Sequence, residues 1–512
     1  MLDNNSSTKR IAQNSFMLYL RMLLSMVVSL YTSRVVLATL GIEDYGTYNV
    51  VGGVVGMFSF LNATMSGATS RFLTFEMGKG DFKRLMETFS SALIIHFSIA
   101  IVVFILAETV GLWFLKNKLV IPESRIFAAQ CVFQFSIISM AVGVTQVPYN
   151  ASIIAHEKMD VYAYVEILNV ILKLLIVYLL GVGNIDKLIL YGILTLVVTI
   201  IIALIYRIYC VKHFAECHFF WVWNKSILKG LLSFSTYNLY GNMGSVVNAQ
   251  STNFVLNHFF GVVLNSAASI ATTVSGVVNS FASNIMVAFR PQITKNYAKG
   301  DWISFQNLLD WAIKIILLVY VMVAIPVFVE IDTLLTVWLG NIPPYTTTFC
   351  RCILVSIFFE TLRYVITMGI HAVGKVKIIS LFTGSLFLIN PFVIYFVLLA
   401  KSMPDYVFYS VIVCNLSLCV IDLFLLKKYI PAIQVSKFFL SISNIILVSA
   451  FSLTLINMFS AFYRPSLLRI VCITCISVIV VALLFCYCCM DILQRKQIFS
   501  YVKSKINRKK HG

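Results

Sequence analysis

Charge is what this chain has least of. Only 12% of its 512 residues are Asp, Glu, Lys or Arg, about half the share carried by a soluble domain, so a soluble globular protein is excluded. Acidic residues are the scarcer sign, 21 against 39 Lys and Arg, for a net charge of +18. No hydrophilic stretch is long enough to form a soluble catalytic domain. No glycine-rich phosphate cradle of the nucleotidase kind occurs either, so ATP is not expected as the direct energy source, and the chain is not expected to be an enzyme. The seven histidines are scattered, and His156-Glu157-Lys158 lacks metal spacing. Cys350-x-Cys352 and the Cys486, Cys488, Cys489 group have no histidine partners, so packing is their expected role. Neither metal nor cofactor is expected.

What is there is apolar: 60% of the residues are hydrophobic. At about 20 apolar residues per crossing, the sequence predicts an all-α polytopic membrane protein of about fourteen transmembrane helices. They fall near 12–36, 46–69, 89–115, 126–150, 161–182, 185–208, 231–258, 262–289, 311–331, 346–371, 376–400, 404–426, 438–462 and 466–490. The first follows Lys9 and Arg10 and is too long for a signal-peptide core, so it is read as a retained span. With a cytoplasmic N-terminus, 26 of the 39 Lys and Arg fall on the inner side, 8 on the outer side and 5 within spans. That asymmetry follows the positive-inside rule and predicts both termini on the cytoplasmic side. It also accounts for the net charge without nucleic acid.

The chain repeats itself. Gly41 and Gly261 each open a stretch that ends in Lys-Gly-Asp, at Lys79-Gly80-Asp81 and Lys299-Gly300-Asp301, offset by 220 residues. An even number of helices separates the copies, so both halves enter the membrane in the same direction, as in transporters built from parallel repeats. The expected organisation is an N-terminal six-helix lobe (1–225), a C-terminal six-helix lobe (226–430), and two further helices with a basic cytoplasmic tail (431–512).

Four helices, the first two of each expected lobe, carry polar faces. The eighth places Asn265, Ser269, Thr272, Gly276, Asn279 and Ser283 at steps of 4, 3, 4, 3 and 4, one face at about 100° per residue. Its counterpart is Tyr45, Asn49, Gly52, Gly56, Ser59 and Ala63. Helix seven adds Asn238, Asn242 and Ser245, with Asn248 at the edge. Helix one adds Asn14, Arg21, Ser25 and Ser29. Small and polar residues of this kind also pack helix against helix, which is the alternative for any one of them; the four stripes together predict a lined cavity.

Arg21 lies near the middle of the apolar stretch Ile11–Val36, where a charge costs at least a few kcal/mol and marks a watery cavity or an ion partner. Its sign points to an anionic cargo. Arg351 and Arg363 are the second cationic candidates, although Glu360, three residues before Arg363, is placed to pair with it. Lys173, seven residues after Glu166, is either a helix-five pair or another cationic site. Lys314 is expected to snorkel to the surface, and Asp422, near Lys427 and Lys428, to sit at an interface. Glu166 and Glu360 are the ion-coupling candidates, with Glu330, Asp332 and Asp422 also in view.

Leu40-Gly41-Ile42-Glu43-Asp44-Tyr45-Gly46-Thr47-Tyr48 resembles the Leu-Gly-x-x-x-Tyr-Gly-x-Tyr element of bacterial polysaccharide-biosynthesis flippases. Phe289-Arg290-Pro291 with Lys299-Gly300-Asp301 resembles the loop that closes helix eight in the same proteins. These belong to the multidrug/oligosaccharidyl-lipid/polysaccharide exporter superfamily, whose O-antigen flippase branch is nearest. The resemblance implies a V-shaped, two-lobed, alternating-access transporter of the bacterial inner membrane. Its implied cargo is an undecaprenyl-diphosphate-linked glycan, handed on to downstream polymerase or ligase machinery. Arg21, with Arg351 or Arg363, would hold the diphosphate. Asn49, Asn238, Asn242, Asn265 and Asn279 would meet sugar hydroxyls, with membrane lipids as the other partners. The runner-up is a cation-coupled multidrug exporter, but those relatives bury a carboxylate in the first helix, and Ile11–Val36 has none. The cationic first helix also suits a peptidoglycan lipid-precursor flippase, which differs in glycan and not in mechanism, and a membrane glycan polymerase or ligase is the alternative of another class.

Overall fold

The computed structural model describes residues 3–156, 158–181, 185–222, 224–298 and 300–490; the side chains of 3–25, of 232–238 and of short stretches in the second and ninth helices lie outside that description. Among the described residues sixteen α-helices follow one another: α1 (Asp3–Gly56), α2 (Ser59–Lys79), α3 (Phe82–Leu106), α4 (Leu112–Asn117), α5 (Ile126–Ala155), α6 (Met159–Leu179), α7 (Lys187–His213), α8 (Lys225–Phe260), α9 (Val262–Ala298), α10 (Trp302–Val329), α11 (Ile331–Leu339), α12 (Thr346–Val373), α13 (Val376–Ala400), α14 (Tyr406–Tyr429), α15 (Val435–Ala461) and α16 (Leu467–Leu484). Among the described residues, 12 segments are long and apolar enough to cross a membrane. The long helices outside that set are α2 and α8, whose Gly, Ser and Asn residues dilute their apolar character.

The second expected helix, 46–69, is corrected. Its first part continues α1 as far as Gly56, the chain turns at Met57 and Phe58, and α2 begins at Ser59. The physical break in α1 lies earlier, at Gly41, whose φ of 82° and ψ of 170° interrupt the helix. Gly261 takes nearly the same conformation, φ 74° and ψ −174°, between α8 and α9. Only glycine occupies that region readily, because a Cβ would clash with the backbone.

The Lys-Gly-Asp motif likewise has a local cause. Gly80 ends α2 in the left-handed conformation, φ 72°, and Asp81 starts α3 by accepting a hydrogen bond from the Arg84 amide at 3.0 Å. Gly300 (φ 71°) and Asp301, which accepts from the Ser304 amide at 3.0 Å, repeat the device before α10. A left-handed glycine stops a helix and an Asp starts the next, so the repeat seen in the sequence is a repeated turn.

The described chain forms two compact units. The first comprises Met1–Thr273, Pro343–Thr346 and Val376–Ser410; the second comprises Val274–Ile342, Thr347–Lys375 and Val411–Gly512. In the first unit, Val50, Val51, Val54 and Val55 of α1 pack on Ala129, Val132 and Phe133 of α5, with Leu188 of α7 and Phe254 of α8 closing the cluster. Helix α13 joins this unit by lying against α8. A Cβ on Gly244 would come within 2.6 Å of the Gly384 Cα, so the two backbones touch. Contacts this close are how helices gain attraction where lipid offers no hydrophobic drive between them. Beside the glycines, Asn390 donates its amide to Asn248 Oδ1 at 2.7 Å, both side chains being buried.

The second unit is built on α10, whose Phe305, Ile313, Ile316 and Leu317 are fully buried. Tyr320 donates its hydroxyl to the Leu354 carbonyl of α12 at 2.5 Å. Two ion pairs pin the unit. Lys314 is buried and lies 2.7 Å from Asp310 one turn earlier, so the expected snorkelling is corrected: a counter-charge within reach makes the journey to the surface unnecessary. Asp310 also accepts from Ser441 of α15 at 2.6 Å. Arg469, at the start of α16, donates to Glu330 at 2.7 and 3.1 Å and to the Ser460 and Tyr463 carbonyls at the end of α15. Glu330 is 1% exposed, so this ion-coupling candidate is held in a structural staple.

Two consequences are measurable by thermal unfolding of the purified protein in detergent. Gly244→Ala forces backbone against backbone and is expected to cost about 1–3 kcal/mol. Gly143→Ala, where no atom lies within 4 Å of the added carbon, is expected to be neutral or slightly stabilising; equal melting of the two variants would refute the close α8–α13 contact. Arg469→Gln strands the Glu330 carboxylate and is expected to cost about 3–5 kcal/mol, most of it recovered when Glu330→Gln is added. A double variant as unstable as the single one would show that the pair is not the cause.

Candidate functional site

Polar residues of the apolar helices divide into those spent on packing and those left open. Within the first unit, Gly46 is where α1 meets the start of α9: a Cβ there would fall 2.0 Å from the Val262 carbonyl oxygen. Ser266 donates to the Ile42 carbonyl, and Ser269 donates to the Tyr45 hydroxyl at 3.3 Å. Asn265 is fully buried and gives its amide to the Asn253 carbonyl of α8 at 2.7 Å. Asn49 is half-buried and turns its amide onto the Tyr45 carbonyl one turn back, at 2.7 Å. The α1 and α9 stripes therefore begin as a helix–helix seam.

Further along α9 the same stripe opens: Thr272, Gly276 and Ser283 are exposed and Asn279 is half-buried. On α8, Asn242 is half-buried, while Asn238 lies in the helix with its side chain outside the described residues. Arg21 is likewise in α1, with its side chain outside the described residues.

The second unit holds the other cationic candidates. Arg363 is 7% exposed on α12 and acts electrostatically on two carboxylates, Glu360 on its own helix and Asp422 on α14. Asp422 is fully buried and accepts from Thr367 at 3.2 Å, which corrects its expected interfacial place. Two acids thus face one guanidinium inside the helices. Arg351 lies elsewhere, at the start of α12, where Nη2 donates to Asp332 at 2.8 Å. Both partners are well exposed, and such a pair is worth about 0–1 kcal/mol.

Glu166 is half-buried on α6, Lys173 lies exposed two turns on, and no ion pair joins them among the described residues. Between α10, α12 and α15 runs an apolar groove of about 240 Å³, lined by Tyr320, Phe328, Phe358, Phe359, Ile446 and Leu453.

Sequence reasoning counted Arg125 as a loop charge and missed its role. It bridges three elements of the first unit, reaching Asp44 of α1 at 2.5 and 2.6 Å and Asp186 at 2.6 and 3.1 Å. Burial pushes the Asp186 carboxyl up, but the Arg125 hydrogen bonds and the Ile189 amide outweigh it and hold the group below the usual carboxylate range. Asp186 caps the start of α7, but nothing in the sequence said which arginine it shares with Asp44.

No family model matches the sequence, and no curated protein matches it. Solved structures do match in fold. The lipid II flippase MurJ, in an inward closed conformation, superposes with a TM-score of 0.68 at 13% identity, covering 92% of this chain and 98% of the flippase. An inward-facing multidrug resistance transporter of the MATE family gives a TM-score of 0.63 at 13% identity, covering 80% and 96%. A transporter of the same superfamily from Pyrococcus furiosus gives 0.61 at 13% identity, covering 82% and 96%. With its long apolar helices and paired glycine turns, this chain shares the fold of these solved transporters.

Proposed function

We propose that the protein flips an undecaprenyl-diphosphate-linked glycan, of the O-antigen or capsule repeat type, from the inner to the outer leaflet of a bacterial inner membrane by alternating access. The observation that carries this reading is the cation in the first span: Arg21 stands in an apolar stretch with no Asp or Glu between Ile11 and Val36. A diphosphate must cross hydrocarbon with its charge neutralised, and a guanidinium does so through charge-assisted, often bidentate hydrogen bonds. A cationic drug would instead need a carboxylate there. The likeness to a lipid II flippase over 92% of the chain, against 80% for the drug transporter, supports the same choice.

Other parts take roles in this proposal. Asn49, Asn242 and Asn279, half-buried on their helices, and Asn238 are the candidates for sugar hydroxyls. Asn265 serves the helix seam. The apolar groove beside α15 could admit isoprenoid units of the carrier lipid. The lobe boundaries at 225 and 430, both termini in the cytoplasm, and hand-over to a glycan polymerase or ligase belong to the same proposal. Moving two negative charges outward across an inside-negative membrane releases roughly 4–5 kcal/mol per 100 mV, enough to drive export without ATP.

Arg363 is better suited to coupling than to cargo. The half-buried Glu360 and the buried Asp422 together exceed the charge of the one guanidinium, an imbalance that low-dielectric surroundings penalise. One proton on either acid removes that penalty, and its release and uptake would link flipping to a proton gradient. Flipping by a Glu360→Gln, Asp422→Asn variant is expected to lose its response to an imposed pH gradient; an unchanged response would remove the triad from the mechanism.

The decisive experiment for the cargo is a proteoliposome assay with a fluorescent undecaprenyl-diphosphate oligosaccharide under an inside-negative potential. Protein-dependent loss of label from one leaflet is expected, and Arg21→Gln is expected to slow it at least tenfold, about 1.4 kcal/mol or more. Equal flipping by the variant at matched protein level would sink the anion-site reading. Uptake of a cationic dye without flipping would move the chain to drug export.

A further inference from the structure

A cleft of about 510 Å³ opens on the flank of the first unit where α3, α5 and α7 meet. A second hollow of about 320 Å³ shares Phe97, Thr145 and Arg207 with it. The walls are apolar and aromatic: Phe97 is 62% exposed, Phe219 51% and Trp221 75%. Arg207 lines both hollows. Its Nη2 donates to Thr145 Oγ1 at 2.6 Å, and its guanidinium carbon lies 5.8 Å from the centre of the Tyr149 ring.

Two further facts bear on Arg207. Its Nε is buried with no hydrogen-bond acceptor. Among the described residues no carboxylate lies within ion-pair distance of it, whereas Arg125 and Arg469 are each held by acids. A guanidinium inside a membrane span without a counter-charge is costly, and the donors left over form the planar fork that fits a phosphate.

The surroundings identify the kind of anion. The cleft is flanked by Ile101, Phe104, Leu204 and Ile208, all exposed and all within spans, so this flank faces hydrocarbon. An occupant must carry a phosphate at one end and acyl chains at the other. Arg207 stands six residues before the last residue of α7, about 9 Å along the axis, near the depth of lipid headgroups. Trp221 at the rim suits that depth, because indole rings settle at the membrane interface. Basic pockets between helices at this level favour anionic lipid headgroups.

We propose that this cleft binds an anionic membrane phospholipid, its phosphate on Arg207 and its chains against Phe97 and Phe104. The site is separate from the cargo residues and stands whether or not the protein flips a glycan.

The test is native mass spectrometry of the delipidated full chain in detergent, titrated with phosphatidylglycerol, phosphatidylcholine or inorganic phosphate. The wild-type protein is expected to hold phosphatidylglycerol about tenfold more tightly than phosphatidylcholine. Arg207→Gln is expected to abolish the preference, and millimolar inorganic phosphate is expected not to displace the lipid. Equal binding of the two lipids by the wild type, or a preference that survives in Arg207→Gln, overturns the proposal. Displacement by inorganic phosphate also overturns it and makes the cleft a site for a soluble anion. Should Arg207→Gln fail to fold, the wild-type comparison of the two lipids decides alone.

Discussion

Charge compensation in a medium without water is the constraint on which the rest of this structure depends. A cation or carboxylate carried into the membrane must meet an opposite charge or a hydrogen-bonding shell, because hydrocarbon supplies neither. Lys314 meets Asp310, Arg469 meets Glu330, and Arg125 is shared by Asp44 and Asp186. The Lys314–Asp310 pair lies within α10 but reaches α15 through Ser441, and Arg469 ties the start of α16 to the end of α10. The few charges outside this accounting are the informative ones.

Glycine is the second organising element, and it acts in two ways. At Gly41, Gly80, Gly261 and Gly300 it supplies backbone conformations that stop one helix and aim the next. At Gly46, Gly244 and Gly384 it supplies absence of bulk, so that helices touch backbone to backbone. The first use repeats at an interval of 220 residues. The second does not: Gly46 has Ser266 at the equivalent position, and there the serine hydroxyl reaches back to the Ile42 carbonyl. Two copies of one plan have thus become two sides of one contact.

The polar stripes show how packing and function compete for the same residue types. Asn265 gives its amide to the backbone of the neighbouring α8, whereas Thr272 and Ser283 lie exposed and donate to carbonyls of their own helix. Nothing in the residue types distinguishes the two cases; the folded surroundings do. The same holds for the arginines. Arg363 and Arg207 are both guanidiniums in apolar helices, yet one faces two carboxylates and the other an open, aromatic-walled cleft.

The sequence by itself determined the all-helical membrane class, nearly every helix, the repeat and its turns, and the positive charge in the first span. These are local properties: twenty apolar residues form a spanning helix wherever they occur, and a Gly-Asp pair ends one helix and starts another without outside help. Only the tertiary structure decided the grouping of α13 with α8 and the partners of Glu330, Asp422 and Arg125. Those depend on residues tens to hundreds of positions apart reaching hydrogen-bond distance. A one-dimensional pattern records that a charge is present, and the folded neighbourhood decides what neutralises it.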